Sequence, residues 1–144
     1  MDAQRILALL PWRHPFLLID RVVECAPHRR IVTERRISTG DPFVGESAEQ
    51  HPWFPSLLLL EGLGQTAALL YRVSYVGEEA APLPLLGYLR ASLHGSARAG
   101  DLVTFEIRPA KMTRRGGVFE GRALDGITPL AEAELAFSVG GGER

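Results

Sequence analysis

A chain of 144 residues, 46% of them hydrophobic, has the material for one domain with a true core and too little for two. Sixteen Lys and Arg stand against seventeen Asp and Glu, and the formal net charge of −1 offers no electrostatic case for nucleic acid or a membrane surface. The lone Cys25 excludes an internal disulfide and a cysteine metal cluster, and it fits a reducing compartment, so a cytoplasmic protein is expected.

Asp2 can cap a short helix through Leu9, with Ile6, Leu7 and Leu10 on one side and Pro11 stopping it. The same stretch has an apolar patch of only about six residues, too short for a secretory signal core. Pro15 biases His14 away from helical space. Phe16–Val23 then reads as a strand ending at a turn around Pro27 and His28, and Arg30–Ser38 as a second strand. Thr39–Pro55 is a long loop, of the kind that in compact domains carries function or lacks order.

Ser56–Tyr75 is the one long helix, about 30 Å at 1.5 Å per residue, with Ser56 as its N-cap and Gly77 as its stop. It is apolar nearly all round, which predicts a buried helix. Glu61 is the anomaly, a carboxylate expected to be buried among Leu, Gly, Ala and Thr and so the first candidate for chemistry, and the run it interrupts (Leu57–Leu60) is too short to span a bilayer. Gly62 and Gly64 each cost a helix about 1 kcal/mol relative to Ala, which a close neighbouring backbone or a ligand would explain.

Beyond the proline-rich link Ala81–Pro84 the period changes. Leu85–Leu93 reads as a strand, and Val103, Phe105 and Ile107 alternate with polar neighbours in another. Arg115-Gly116-Gly117 marks a hairpin turn into Val118–Leu124, and Asp125-Gly126 a second turn. Ala131, Ala133, Leu135, Phe137 and Val139 alternate again. The result is a single α+β domain over residues 1–144, with a long central helix that an antiparallel sheet must wrap and a frayed tail at 140–144.

Taken in order, LLPWRHPFLLIDRV, HPWFPSLLLLEGLGQ, LLGYLRASLHGSARAGD and TRRGGVFEGRAL resemble the 3-hydroxyacyl-[acyl carrier protein] dehydratases of fatty acid synthesis over nearly the whole chain. The resemblance implies a hotdog fold, a long helix wrapped by a curved antiparallel sheet and paired with a second subunit. It also implies a thioester on the phosphopantetheine arm of acyl carrier protein as ligand, with no metal and no diffusible cofactor. In that family a histidine in a G-H-F-P-G-x-P motif faces a helix carboxylate across the dimer interface. Removing a C2 proton and expelling a C3 hydroxyl takes a base and an acid on opposite sides of one short carbon chain.

Counting back from the helix, Glu61 takes the carboxylate's place, Gln65 that of the family's glutamine, and Pro52 and Pro55 match. The histidine falls on Ser47, its preceding glycine on Glu46, and the motif's Pro-Gly on Glu49 and Gln50. Serine takes up no proton near neutral pH without a base of its own, so half of the machinery is absent from its usual place. His51, four residues further on, is the candidate replacement; its alternative is a loop histidine bonded to backbone or solvent. His14 matches a family position and reads as structural, while His28 and His94 fall at a turn and in a strand.

Ser47, Gln65 and the backbone N–H groups of Ser56 and Leu57 are the candidate substrate contacts, since a helix N-terminus can polarise a thioester carbonyl. Gln65 equally suits a buried backbone group, and Glu61 a structural hydrogen-bond acceptor. Trp53, Phe54, Leu89 and Leu93 are expected to shape the acyl tunnel. The pairs Arg29-Arg30, Arg35-Arg36 and Arg114-Arg115 are either contacts for an acidic carrier protein or solvated strand faces. Dehydration is the leading expectation, with this chain giving the carboxylate half of a two-chain site in a homodimer or a heterodimer with a related hotdog chain. The alternatives are a thioesterase in which Glu61 activates water and a non-catalytic subunit that binds acyl thioesters or their carrier.

Overall fold

The computed structural model describes residues 1–44, 53–77, 82 and 84–140. Residues 45–52 of the expected loop and the expected tail after Gly140 lie outside them. In chain order the elements are α1 (Ala3–Leu9), β1 (Arg21–Ala26), β2 (Arg30–Arg36), α2 (Ser56–Tyr71), β3 (Pro84–Leu93), β4 (Leu102–Thr113), β5 (Gly116–Asp125) and β6 (Thr128–Val139). All strand pairs are antiparallel, in the order β1-β2-β4-β5-β6-β3, so β1 and β3 are the sheet's two edges. The sheet packs against α2 through β2 to β6, as the expected hotdog arrangement requires.

Alternation in β4 to β6 puts Val103, Phe105, Ile107, Phe119 and Leu135 on the inner face, all buried. Leu59, Leu63 and Leu70 of α2 pack into the same core. Two features fix the rotation of α2 about its own axis. Thr66 Oγ1 lies 2.9 Å from Thr33 Oγ1 of β2 in the buried interface, and Thr66 also donates to the Gly62 carbonyl at 2.7 Å. Gly62 lies flat on Phe105, where a Cβ would come within 2.3 Å of the ring. The opposite side of the helix is thereby turned out of the core.

Gly64 is different: among the described residues nothing lies within 4 Å of where its Cβ would be, so none of them requires glycine there. Gly64→Ala is expected to stabilise the isolated chain by up to about 1 kcal/mol, and Gly62→Ala to cost about 1–3 kcal/mol as Phe105 is displaced. Urea unfolding midpoints of the two variants check this contrast in sign.

Several boundaries differ from the sequence-based expectation. The first strand begins at Arg21 rather than Phe16, because the backbone of residues 16–18 bonds to a glutamine side chain instead of a ladder. Pro55, not Ser56, is the N-cap of α2, and no side chain caps that end. The α-helix stops at Tyr71 and continues as one π-helical turn, Arg72–Val76, before Gly77 ends it with a φ of 66°. The Tyr71 hydroxyl, its pKa raised by burial, donates to the Arg114 carbonyl at 2.5 Å and ties the helix end to the β4–β5 hairpin. The hairpin turns fall on residues 114–115 and 126–127, each starting one residue away from the expected Arg115-Gly116-Gly117 and Asp125-Gly126. Among the described residues no helix is long and apolar enough to cross a membrane.

Candidate active site

Residues 57, 61, 64 and 68 recur at steps of four, three and four, which places them on one side of a helix. In α2 that side carries Leu57, Glu61, Gly64 and Ala68, and it lines a cavity of about 230 Å³. Leu86 and Leu89 of β3, with Leu135 and Phe137 of β6, form the facing wall, and Trp12 closes one flank. Trp12 and Phe137 are not among the expected tunnel residues, because nothing in their local pattern tells which core-facing side chains meet a gap. Of the residues that are, Leu89 lines the cavity, whereas Phe54 is a core residue, Trp53 lies exposed against Arg98, and Leu93 is exposed at the far end of β3.

Glu61 is exposed in the isolated chain, which corrects the expectation of a buried acid. The apolar surroundings are real, but they stand on one side of the carboxylate and leave the other open. A second surface laid over the cavity would therefore desolvate it. Gln65, one turn along, is buried, and all its hydrogen-bonding atoms are engaged. Its Oε1 accepts from the Leu18 N–H at 2.9 Å, while Nε2 donates to the Phe16 carbonyl at 2.8 Å and to Glu61 Oε2 at 3.1 Å. Gln65 thus holds both the N-terminal segment and one oxygen of the acid.

The helix opening at Ser56 and Leu57 has the N–H groups that any uncapped first turn leaves without intrahelical acceptors. Leu57 is 72% exposed at the cavity's rim. Ser47 and His51 lie outside the described residues. Among those described, no histidine lines the cavity. The His28 N–H donates to Ser74 Oγ at 2.8 Å and its ring stands edge-on to Tyr75, while His94 Nε2 meets Glu132 at 2.8 Å. His14 precedes a cis proline at the edge of a different hollow, beside Asp20 and Arg36. Arg35 also borders that hollow but is itself buried in an ion pair with Asp41.

The outer wall of the cavity is also an open edge. Among the described residues β3 pairs with β6 on one side alone, and Leu85, Leu86, Tyr88 and Leu89 are all exposed along it. An apolar edge strand of this length invites another strand, and folded proteins rarely leave one bare.

The family model of ApeP-like proteins, described as ApeP dehydratase, matches residues 4–139. The 3-hydroxyacyl-[acyl-carrier-protein] dehydratase FabZ of Chloroflexus aggregans is 36% identical over 140 residues, covering 96% of this chain and 96% of the relative. FabZ of Variovorax paradoxus is 34% identical over 144 residues, with 96% and 94% covered. Among solved structures, the dehydratase heterocomplex ApeI:P from Xenorhabdus doucetiae superposes with a TM-score of 0.81 at 16% identity, over 96% of this chain and 92% of that one. Zebrafish thioesterase superfamily member 2 superposes with a TM-score of 0.70 at 14% identity, over 94% and 92%. At such identities the superpositions establish the hotdog fold and do not bear on the chemistry.

Proposed function

This chain belongs to the ApeP-like dehydratase family, and from that membership we propose a dehydratase of the fatty acid or polyketide type that supplies Glu61 to a site completed by a second, related hotdog chain. The substrate is a 3-hydroxyacyl thioester carried on acyl carrier protein, and the partner brings the imidazole that this chain lacks at Ser47. One group takes the C2 proton and the other protonates the departing C3 hydroxyl; the C3–O bond breaks, a C2–C3 double bond forms and water leaves. The chemistry is proton transfer between the two side chains and the substrate, with the first N–H groups of α2 polarising the thioester carbonyl. A cytoplasmic setting belongs to the same reading.

The observation that carries it is Glu61 itself, a carboxylate at the open side of an apolar cavity that no described histidine enters. The exposed leucines of β3 support a second chain at that place, because covering them would also close the cavity over Glu61.

Co-expression with a hotdog chain that has the motif histidine is expected to yield a 1:1 complex that converts a 3-hydroxyacyl thioester to the enoyl thioester, while the isolated chain does not. Full turnover by the isolated chain would overturn the two-chain site and favour His51 as the base. Hydrolysis to a free acid would favour the thioesterase, and saturable carrier binding without product would favour a non-catalytic subunit.

A further inference from the structure

The buried ion pair Arg35–Asp41 lies away from the cavity, and the proposed chemistry makes no use of it. Arg35 Nη2 donates to Asp41 Oδ2 at 2.5 Å, Nη1 donates to the Leu17 carbonyl at 3.2 Å, and the guanidinium lies over the Phe54 ring with its carbon 5.4 Å from the centroid. Asp41 uses its other oxygen to accept from the Phe43 N–H at 3.0 Å, and the rings of Phe43 and Phe54 meet edge-on at 6.2 Å. The Phe54 N–H in turn is fixed to the Ala97 carbonyl at 2.8 Å. One planar cation thus reaches the chain shortly before residue 45, the chain shortly after residue 52, and the backbone at Leu17.

Leu17 is the link to the cavity. Gln65 grips the residues on either side of it, through the Phe16 carbonyl and the Leu18 N–H, and its remaining N–H holds Glu61. Arg35 therefore pulls on the middle carbonyl of a tripeptide whose two outer groups set the position of the Gln65 amide. Burying two charges is costly and gives at best weak net stability, so stability alone is a poor reason for a cation at this place. A rigid guanidinium fork, by contrast, can hold three partners in a fixed mutual geometry, which an ammonium on a flexible stem cannot.

Resting on the reading of Glu61 as the acting carboxylate, we propose that Arg35 is a positioning residue: through Leu17 and Gln65 it sets the Glu61 carboxylate relative to the two chain ends that flank residues 45–52. Its removal changes where the Glu61 carboxylate stands, although the chain keeps the acid. Reacting groups tolerate such misplacement poorly, because an error of about 1 Å lowers a rate by up to about a hundredfold.

The test uses the active two-chain complex and a 3-hydroxyacyl thioester of acyl carrier protein. Arg35→Met is expected to lower kcat between about tenfold and a hundredfold with KM held within about twofold, and Arg35→Lys to recover part of the loss. In the same variants the Gln65 side-chain amide resonances, assigned by their absence in Gln65→Ala, are expected to shift with Met and to return toward their original positions with Lys. An ion pair that served stability alone would leave those resonances and kcat unmoved in the folded protein, and that result would overturn the proposal. If Arg35→Met does not fold, Asp41→Asn is measured for kcat and the Gln65 resonances instead: a change in both supports the positioning role, and no change in either overturns it. Glu61→Gln in the same assay separates the two readings. An inactive Glu61→Gln beside a fully active Arg35→Met sinks the positioning role alone, whereas an active Glu61→Gln sinks the reading on which it rests.

Discussion

Glu61→Gln is expected to lower kcat for dehydration by the assembled complex between about a hundredfold and ten-thousandfold, the usual contribution of a general acid or base. The amide keeps the carboxylate's size, and its oxygen can still accept from Gln65 Nε2, which lies 3.1 Å from the acid. What the substitution removes is the capacity to exchange a proton. Because Glu61 is exposed in the isolated chain, the folding stability of that chain is expected to stay within about 0.5 kcal/mol. KM is expected to change little, since the group acts in the transition state more than in binding. Steady-state kinetics of the complex, with thermal melting as the control, check both parts. A variant that retains its parent's kcat would remove Glu61 from the chemistry.

The second large effect concerns assembly. Leu86 and Leu89 are 60% and 42% exposed on the free edge strand, and both also line the cavity. Replacing both with lysine is expected to leave the isolated chain folded, because neither side chain is in its core. In the complex, each ammonium would be desolvated against apolar surface, at several kcal/mol apiece. The expected result is loss of the 1:1 complex in sedimentation at micromolar concentration, and loss of dehydration with it. A complex that survives the double substitution would mean that the partner does not cover β3, and the second half of the site would have to be sought elsewhere.

These two expectations rest on features of unequal legibility. Strands β4 to β6 are written plainly in the sequence, because a residue of a half-buried strand meets the core or solvent by its position in a period of two. Gly77 as the stop of the helix is equally plain, since a positive φ there suits glycine above other residues. The place of Glu61 on α2, one turn from Gln65, follows from helical geometry alone. That the two side chains bond to each other, and that Gln65 also takes up the backbone around Leu17, does not follow. Those partners are 47 and 49 residues away in the chain, and only the packing of the N-terminal segment on α2 brings them within reach.

The exposure of Glu61 is hidden from the sequence for a related reason. Hydrophobic periodicity counts apolar side chains around a helix and cannot say what covers each face. In α2 most residues are covered by the same chain, while Leu57 and Glu61 on the cavity side are left exposed, so an all-round apolar pattern reads as complete burial when it is not. Arg35 carries the reverse lesson. In sequence it is one of a pair of arginines on a strand, and the alternation of β2 together with Asp41 turns it inward.

Composition and order of residues by themselves determined one α+β domain, its strands, its central helix, and an acid on that helix. Tertiary structure alone decided that the acid faces an open apolar cavity, that a bare edge strand forms its far wall, and that a buried arginine is tied to it through Leu17 and Gln65. The division follows range: periodicity and capping are set by neighbours within a few residues, while exposure, cavities and hydrogen-bond relays are set by which distant segments the fold brings together, and which it leaves apart.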